Sequence, residues 1–411
     1  MRNFLDKVRQ NFRLPIYGVP FLIFYFLIAP ASFAFIIGDS MLEGAALFLI
    51  VTLSLLLCTE ILFMYLYKYS TGARYKRMPK LDLSKLYVKP HPYMPYVMKK
   101  NFVSEKKSLA TYPLHRGRFN FGQFKTNSLG FVNGLEGDRE VKMPKPKNLM
   151  RINCIGASTT GNYIEEDGLV YSYPLELELL LKGKMSNPVE VNNFGQGGYN
   201  SADILVRFAL QIIDTNPDVV VIYHAYNDIR AYLTANFQSD YSHSRINLGE
   251  SYWKFALAAK IPDLPISFLN YMIALWLPIS SRNSLLEQVS VGDFGENNNY
   301  TLGLIAYKRN MQHIIDICIS NKIKVVLSTY CHFLYDEIKQ DSLHLRYKKI
   351  VDEENKIVRD LALKNQLILV DNAEKIPKDM RYFVDSIHFT PEGMRLVAEN
   401  ISEAILTNNI Y

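Results

Sequence analysis

Five short apolar runs alternate with amphipathic helical patterns through the C-terminal part of the chain. The runs lie at 151–155, 191–193, 219–223, 325–327 and 367–370, and the helical patterns at 169–183, 201–214, 303–321, 343–365 and 391–407. Runs of this kind are typical of parallel strands that are buried on both faces. The alternation therefore predicts an α/β fold, a three-layer α/β/α sandwich with a mostly parallel five-stranded sheet. Right-handed crossovers would place every strand-to-helix loop at one edge of that sheet.

The same pattern predicts how the chain is divided. Residues 149–411 form the predicted α/β domain, and residues 68–148, which show little periodicity, form an irregular extension that packs on it. An insert at about 229–299 interrupts the alternation. Its apolar stretch at 264–279 is short and bounded by prolines, so a lid, a lipid-facing surface and additional core all remain open.

Two long apolar stretches precede the extension. Residues 14–37 carry no charge, and residues 44–67 carry only Glu60. A helix of either length would measure about 36 Å, enough for a hydrocarbon core of about 30 Å. We predict a transmembrane hairpin over 14–67, preceded by a basic segment at 1–13, with membrane lipid as its partner. A buried hairpin of a soluble protein is the alternative.

Basic residues flank the hairpin at its two outer ends. The connector at 38–43 contains Asp39 and Glu43 and no basic residue, whereas Lys and Arg are frequent at 1–13 and 68–80. The positive-inside tendency therefore predicts two spans with both termini, and the whole α/β domain, on the cytoplasmic side.

Composition narrows the range of partners. The net charge of +6 is modest, and the basic residues cluster beside the apolar stretches, so no nucleic-acid partner is expected. The four cysteines have neither CxxC nor Cys/His ligand spacing. We expect reduced thiols, no metal and no cofactor, while the oligomeric state is not constrained.

Two of the predicted strands end in residues suited to a reaction centre. Ser158 follows the first run among small residues, and a serine hydroxyl becomes a nucleophile when a base takes its proton. The same composition is also common at turns and helix caps. The second run ends at Gly195, Gly197 and Gly198, where a backbone N–H could approach a substrate closely. A phosphate-binding loop is the rival interpretation, although the spacing differs from G-x-G-x-x-G.

Polar residues at two further loops complete the pattern. Asn227 follows the third run, where it is either a helix cap or a donor to an oxyanion. Asp385 and His388 precede a final helix that Thr390 and Pro391 are predicted to begin. Their i, i+3 offset lets the carboxylate reach Nδ1 while Nε2 points outward as a base.

These four blocks together resemble the SGNH (GDSL-type) serine hydrolase superfamily. The blocks are Gly156-Ala157-Ser158, Asn193-x-Gly195-x-x-Gly198, Ala225-Tyr226-Asn227-Asp228 and Asp385-x-x-His388, and the resemblance covers about 150–407 apart from the insert. It implies a flavodoxin-like sandwich with Ser158 as nucleophile, His388 as base and Asp385 as the residue that orients the base. It also implies an oxyanion hole made by the amides of Ser158 and Gly198 and the side chain of Asn227.

The chain departs from the family pattern at two positions. The usual Gly-Asp-Ser-Leu is Gly-Ala-Ser-Thr here, and Ala225 stands where the third block usually has glycine. Neither change removes a chemical role. The better literal match, Gly38-Asp39-Ser40, lies between the two apolar stretches with no buried strand before it, and is interpreted as a hairpin turn.

The resemblance implies ester hydrolysis. The expected protein is a membrane-anchored serine esterase acting on an acyl or acetyl ester of a lipid or glycan. Acyl transfer, such as O-acetyl transfer on a glycan or lipid-linked intermediate, is one alternative, and a catalytically silent membrane scaffold is another. Competent residue types at all five site positions argue against the silent scaffold.

Overall fold

The computed structural model describes residues 28–37, 40–71, 87–89, 91, 93–104, 124–166, 169–233, 237–243 and 300–410. The chain divides into two compact units. The first comprises Met1–Leu83 and Glu250–Leu285, and the second comprises Ser84–Gly249 and Leu286–Tyr411. Most of the predicted insert lies outside the described residues.

The described part of the first unit consists of two apolar helices in contact, α1 (Ala29–Ile37) and α2 (Met41–Thr71). Ser40 caps α2, because its Oγ accepts a hydrogen bond from the Glu43 amide at 3.2 Å. Within α2, Met41–Leu62 has a mean hydropathy of 2.4 and is long and apolar enough to cross a membrane. It begins three residues before the predicted second span, 44–67. Residues 14–27 of the predicted first span lie outside the described residues, so the described chain offers one candidate span rather than two.

A five-stranded parallel sheet forms the centre of the second unit. Its strands, in the order in which they lie side by side, are β6 (Val189–Gly195), β3 (Met150–Gly156), β7 (Val219–Tyr223), β8 (Lys324–Ser328) and β9 (Ile368–Val370). Every pairing between neighbours is parallel. All five residues of β7 are fully buried, as expected for the central strand of a sheet covered on both faces. The predicted parallel sheet is therefore confirmed.

The helices cover the sheet in two groups. The longer ones are α4 (Tyr173–Lys182), α5 (Ser201–Arg207), α7 (Thr301–Ser320), α8 (Ser342–Lys364) and α10 (Pro391–Thr407). A single turn, α9 (Asn372–Lys375), lies between the last two. The step from β3 to β6 runs across the sheet in the opposite direction to the later steps, so right-handed crossovers place α4 on one face and α5, α7 and α8 on the other. In agreement, α4 contacts α10, while α7 contacts both α5 and α8.

The predicted helix at 169–183 is wrong at its start. Leu169–Tyr171 is a strand, β5, that pairs antiparallel with β4 (Ile164–Glu166). The helix begins only at Tyr173, with Pro174 in its first turn, where the missing N–H costs nothing. The predicted helix at 201–214 ends as an α-helix at Arg207 and continues to Thr215 in π and 3₁₀ turns.

Residues that precede the sheet in sequence pack on its core. Two short strands, β1 (Val88–Lys89) and β2 (Val97–Met98), pair antiparallel. Tyr96, Phe131 and Val141 belong to the same buried cluster as the strand residues. We call the described residues 87–104 and 124–149 the leading segment. It shares one core with the α/β sheet.

Candidate active site

Ser158 is the first residue of a one-turn helix, α3 (Ser158–Gly161), directly after β3. Its neighbours fix this turn to the rest of the sheet edge. Thr160 Oγ1 donates to the carbonyl of Tyr223 at 3.2 Å, and Thr159 shares a hydrogen bond with the hydroxyl of Tyr330. Both threonines are buried, whereas Ser158 is partly exposed. The serine hydroxyl is therefore held on a rigid, accessible turn.

His388 lies beside Ser158 although 230 positions separate them in the sequence. The distance from His388 Nε2 to Ser158 Oγ is 2.9 Å, and the distance from His388 Nδ1 to Asp385 Oδ2 is 2.7 Å. With its Nδ1 proton donated to the carboxylate, the neutral ring has Nε2 available to accept the serine proton. The structure thus brings these three predicted residues into one hydrogen-bonded chain.

The loop that carries Asp385 and His388 is held by its own backbone. Asp385 Oδ1 accepts the amides of Ile387 and His388, both at 2.8 Å. The carbonyl of Ser386 accepts the amide of Phe333 at 2.8 Å, which ties the loop to the chain after β8. The carboxylate therefore fixes the loop conformation as well as the imidazole.

The surroundings of His388 and Asp385 raise the pKa of the histidine and lower the pKa of the aspartate, as a histidine base paired with an ionised carboxylate requires. Burial lowers the pKa of His388, but the charge and hydrogen bond of Asp385 outweigh it, and the pKa of His388 is raised above 6.5. Burial raises the pKa of Asp385, but His388 and the two loop amides outweigh it, and the pKa of Asp385 falls below 3.8. The carboxylate stays ionised and stabilises an imidazolium formed beside it.

The glycine loop after β6 lies next to the serine. A methyl group added at Gly197 would lie 3.8 Å from Ser158 Cβ. Gly198 has a φ of +79°, a left-handed backbone conformation that residues other than glycine rarely adopt. Gly198 thus belongs to a loop that lies beside Ser158, and its role as an oxyanion donor stays a prediction.

The alternative interpretation of this loop as a phosphate-binding loop is not favoured, because amides at the start of the following helix, α5, are already hydrogen-bonded. Asn200 Oδ1 accepts the amide of Asp203 at 3.0 Å, and Asp203 Oδ2 accepts the amide of Asn200 at 3.1 Å. This capping box uses two amides at the start of α5 and places a carboxylate where an anion would bind.

Asn227 begins a short helix, α6 (Asn227–Tyr232), which is separated from the end of β7 by residues 224–226. Its Nδ2 donates to the carbonyl of Tyr199 at 3.0 Å, and an amide nitrogen has a second hydrogen for another acceptor. The residue before it, Tyr226, has a φ of +66°, and Glu354 accepts its amide at 3.1 Å. Burial, and then the charge of Asp228, raise the pKa of Glu354 to about 8.

His224, which lies near Asn227 in sequence, is a packed residue. It is 1% exposed, and its Nε2 lies 2.6 Å from Asp228 Oδ2. Asp228 also accepts the hydroxyls of Ser201 and Tyr241, each at 2.6 Å. These buried hydrogen bonds hold the loop that carries Asn227, and His224 has no exposed surface that a substrate could contact.

Sequence reasoning missed one residue at this site. Tyr96, from the leading segment, donates its hydroxyl hydrogen to the carbonyl of Gly197, and its own carbonyl accepts the hydroxyl of Tyr199. The signal in the sequence is the motif at 91–96, His-Pro-Tyr-Met-Pro-Tyr, in which Pro95 restricts the backbone directly before the last tyrosine.

A metal site is not found among the residues described. They contain no group of three or more His, Cys, Asp or Glu side chains that could hold a metal ion. Cys154, Cys318 and Cys331 are buried free thiols, and Cys58 is an exposed one.

A parallel α/β sheet with a Ser–His–Asp chain at the ends of its strands is an arrangement found in serine hydrolases. Residues 154–396, more than half of the chain, match the model of the GDSL-like lipase/acylhydrolase family. The chain belongs to this family and is an ester-cleaving hydrolase.

Several solved structures are similar to the chain. A lipase/acylhydrolase from Enterococcus faecalis is 17% identical, with 63% of this chain and 96% of that one covered and a TM-score of 0.39. An acetylxylan esterase from Geobacillus stearothermophilus is 16% identical, with coverages of 62% and 94% and a TM-score of 0.38. A GDSL-like lipase from Bacteroides thetaiotaomicron is 17% identical, with coverages of 65% and 92% and a TM-score of 0.37. No curated protein matches the chain.

Proposed function

We propose that the protein is a membrane-anchored serine esterase that hydrolyses an acyl or acetyl ester of a lipid or glycan. His388 takes the proton of Ser158, whose Oγ attacks the ester carbonyl and forms a tetrahedral oxyanion. The amides of Ser158 and Gly198 and the side chain of Asn227 stabilise that oxyanion. His388 then protonates the departing alcohol, and water releases the acyl group from Ser158 by the reverse steps.

One observation carries the proposal. Ser158 Oγ lies 2.9 Å from His388 Nε2, and His388 Nδ1 lies 2.7 Å from Asp385. A nucleophile, a base and the carboxylate that orients the base are thus within hydrogen-bonding distance in the order the reaction uses them. The raised pKa of His388 supports its role as the proton acceptor.

The test compares the wild type with Ser158→Ala. Both proteins are purified in detergent, assayed with p-nitrophenyl acetate and labelled with a fluorophosphonate probe. The variant should lose labelling and all but about a thousandth of its turnover, because the nucleophile is gone. Ser40→Ala is the matched control, since Ser40 follows Gly38-Asp39, the literal family motif that Ser158 lacks, but caps α2 instead. Equal labelling of the wild type and Ser158→Ala would refute the assignment.

The same enzyme can show whether water or an alcohol takes the acyl group. Products are measured with increasing glycerol or a soluble sugar as acceptor. For an esterase, free acid remains the main product at moderate acceptor concentrations. Acyl transfer would appear as an ester of the acceptor that exceeds free acid while water is still in large excess.

The membrane arrangement is part of the proposal. We infer that residues 14–67 form a two-span hairpin and that the hydrolase domain faces the cytoplasm, because basic residues flank both outer ends. The apolar helix Met41–Leu62 supports anchoring. C-terminal fusions to green fluorescent protein and to alkaline phosphatase test the orientation in bacteria. Fluorescence without phosphatase activity is expected, and the opposite result would overturn the inference.

A further inference from the structure

Tyr96 contacts the glycine loop from outside the family-matched region. Its side chain is 7% exposed, and its ring packs edge-on against Tyr199 at a centroid distance of 5.6 Å. The Tyr96 hydroxyl donates to the carbonyl of Gly197, and the Tyr199 hydroxyl donates to the carbonyl of Tyr96. These two hydrogen bonds connect Tyr96 to the residues on either side of Gly198, which are Gly197 and Tyr199.

The bond to Gly197 fixes the direction of the Gly198 amide. The carbonyl of Gly197 and the N–H of Gly198 belong to one planar trans peptide group, in which they point in opposite directions. A hydrogen bond that holds the carbonyl on one side therefore holds the N–H on the other. Because it polarises the peptide, it also makes the N–H a better donor.

This peptide needs such a restraint more than most. It joins two glycines, and glycine backbones rotate with little steric hindrance. The positive φ of Gly198, +79°, is one of several conformations open to it. Without an external hydrogen bond, the peptide can turn and aim its N–H elsewhere.

Tyr96 is also linked to Asn227, another predicted oxyanion donor. The carbonyl of Tyr199 accepts Nδ2 of Asn227 at 3.0 Å, so the residue that anchors Asn227 is itself bonded to Tyr96. Burial raises the pKa of Tyr96 well above its ordinary value of 10, so its hydroxyl keeps its proton and remains a donor.

We propose that Tyr96 is a positioning residue for the oxyanion hole, supplied by the leading segment, and that it sets the direction of the Gly198 amide. The inference rests on the proposed function. It predicts that the leading segment contributes to the rate of the chemical step as well as to stability.

The experiment uses Tyr96→Phe in the full chain, which keeps the ring and removes the hydroxyl. We expect kcat to fall about 10- to 100-fold with KM within twofold, since losing one oxyanion donor outright costs about 100- to 1000-fold. The rate of labelling by a fluorophosphonate should fall in parallel, because the phosphonate oxygen occupies the same site. A purely structural role would leave the kcat of the folded enzyme unchanged.

Thr126→Val is the matched control. It also removes a buried hydroxyl of the leading segment that donates to a backbone carbonyl, that of Lys99 at 2.6 Å. It should lower the melting temperature and leave kcat unchanged. Tyr199→Phe is a second route to the same test should Tyr96→Phe fail to fold, and a several-fold loss of kcat is expected.

The outcomes separate the two proposals. If the wild type and Ser158→Ala are equally active, the proposed function fails. If only Ser158→Ala is inactive while Tyr96→Phe keeps kcat within twofold of the wild type, the positioning role of Tyr96 is overturned and the esterase proposal stands. A kcat loss as large in Thr126→Val as in Tyr96→Phe would also overturn it.

Discussion

The contact between Gly198 and Tyr96 can be tested by adding a single methyl group. In Gly198→Ala the new Cβ would overlap the hydroxyl oxygen of Tyr96, while the next atom of that side chain, Cζ, is 3.6 Å away. The substitution also places an alanine at a φ of +79°. The backbone conformation costs about 1–2 kcal/mol and the overlap about 1–3 kcal/mol, so about 2–5 kcal/mol in total.

The second substitution, Tyr96→Phe, divides this cost into its two parts. Alone it destabilises by about 1–3 kcal/mol, because the carbonyl of Gly197 loses its buried donor. Combined with Gly198→Ala, it removes the overlapping oxygen and leaves a methyl group at an ordinary contact distance from Cζ. The double variant should therefore be more stable than the sum of the single effects by about 1–3 kcal/mol.

The assay measures the melting temperature of the full-length wild type, Gly198→Ala, Tyr96→Phe and the double variant in one detergent. For a domain of this size each kcal/mol corresponds to about 2–4 °C, so Gly198→Ala should melt about 4–20 °C below the wild type. Gly197→Ala is the control, since its nearest new neighbour is Ser158 Cβ at 3.8 Å. If the change in melting temperature of the double variant equals the sum of the two single changes, the reasoning is refuted. The Tyr96 hydroxyl oxygen would then not be the atom that clashes with a side chain at position 198.

Two further predictions concern ionisable groups. Wild-type kcat/KM should rise with pH through the pKa of His388, which Asp385 holds above 6.5, since only the neutral imidazole can take the serine proton. In Asp385→Asn, activity should fall about 1000- to 10,000-fold, and the remaining pH profile should shift to lower pH; an unshifted profile would contradict the pairing. Burial raises the pKa of Glu354 from 4.5 to about 8, so the folded protein keeps a proton that the unfolded chain loses, and wild-type stability should fall as pH rises through that interval. Glu354→Gln should melt higher relative to the wild type at pH 8 than at pH 5, and an equal difference at the two pH values would contradict the argument.

The sheet could be predicted because its strands are buried on both faces. The run at 219–223 matches β7 residue for residue, and the other four lie within their strands or overlap them closely. The sequence pattern predicts helix at Leu169–Tyr171, which is a strand, because its apolar residues continue into the apolar pattern of α4. Its pairing with Ile164–Glu166 is a tertiary contact, which local periodicity does not encode.

The meeting of Ser158 and His388 could also be anticipated from topology. Parallel strands joined by right-handed crossovers bring their carboxyl ends to one edge, so residues just past those ends meet however far apart they are in sequence. The Asp385–His388 contact is local and follows from the i, i+3 offset. Their catalytic roles rest on chemistry that the variants above must test.

The contact of Tyr96 could not be predicted in this way. It joins residues 101 positions apart through a side-chain hydroxyl and a carbonyl, and it depends on the backbone conformation of two glycines. Neither hydrophobic periodicity nor strand topology specifies such a contact. Proline spacing in the motif at 91–96 indicates a rigid backbone, but not what it faces.

The contacts of the leading segment bear on where a shortened chain could begin. The family match begins at residue 154, and the predicted domain at 149, but a chain cut at either point would lack Tyr96. It would also lose Phe131 from the core and the ion pair of Arg139 with the buried Glu178, at 2.6 Å. Glu178 would keep Lys182 and the amide of Val191 as partners but lose both hydrogen bonds from the Arg139 guanidinium, which destabilises the domain. The segment thus contributes to the core and contacts the loop beside Ser158, so we expect a truncated chain that keeps full activity to begin before Tyr96.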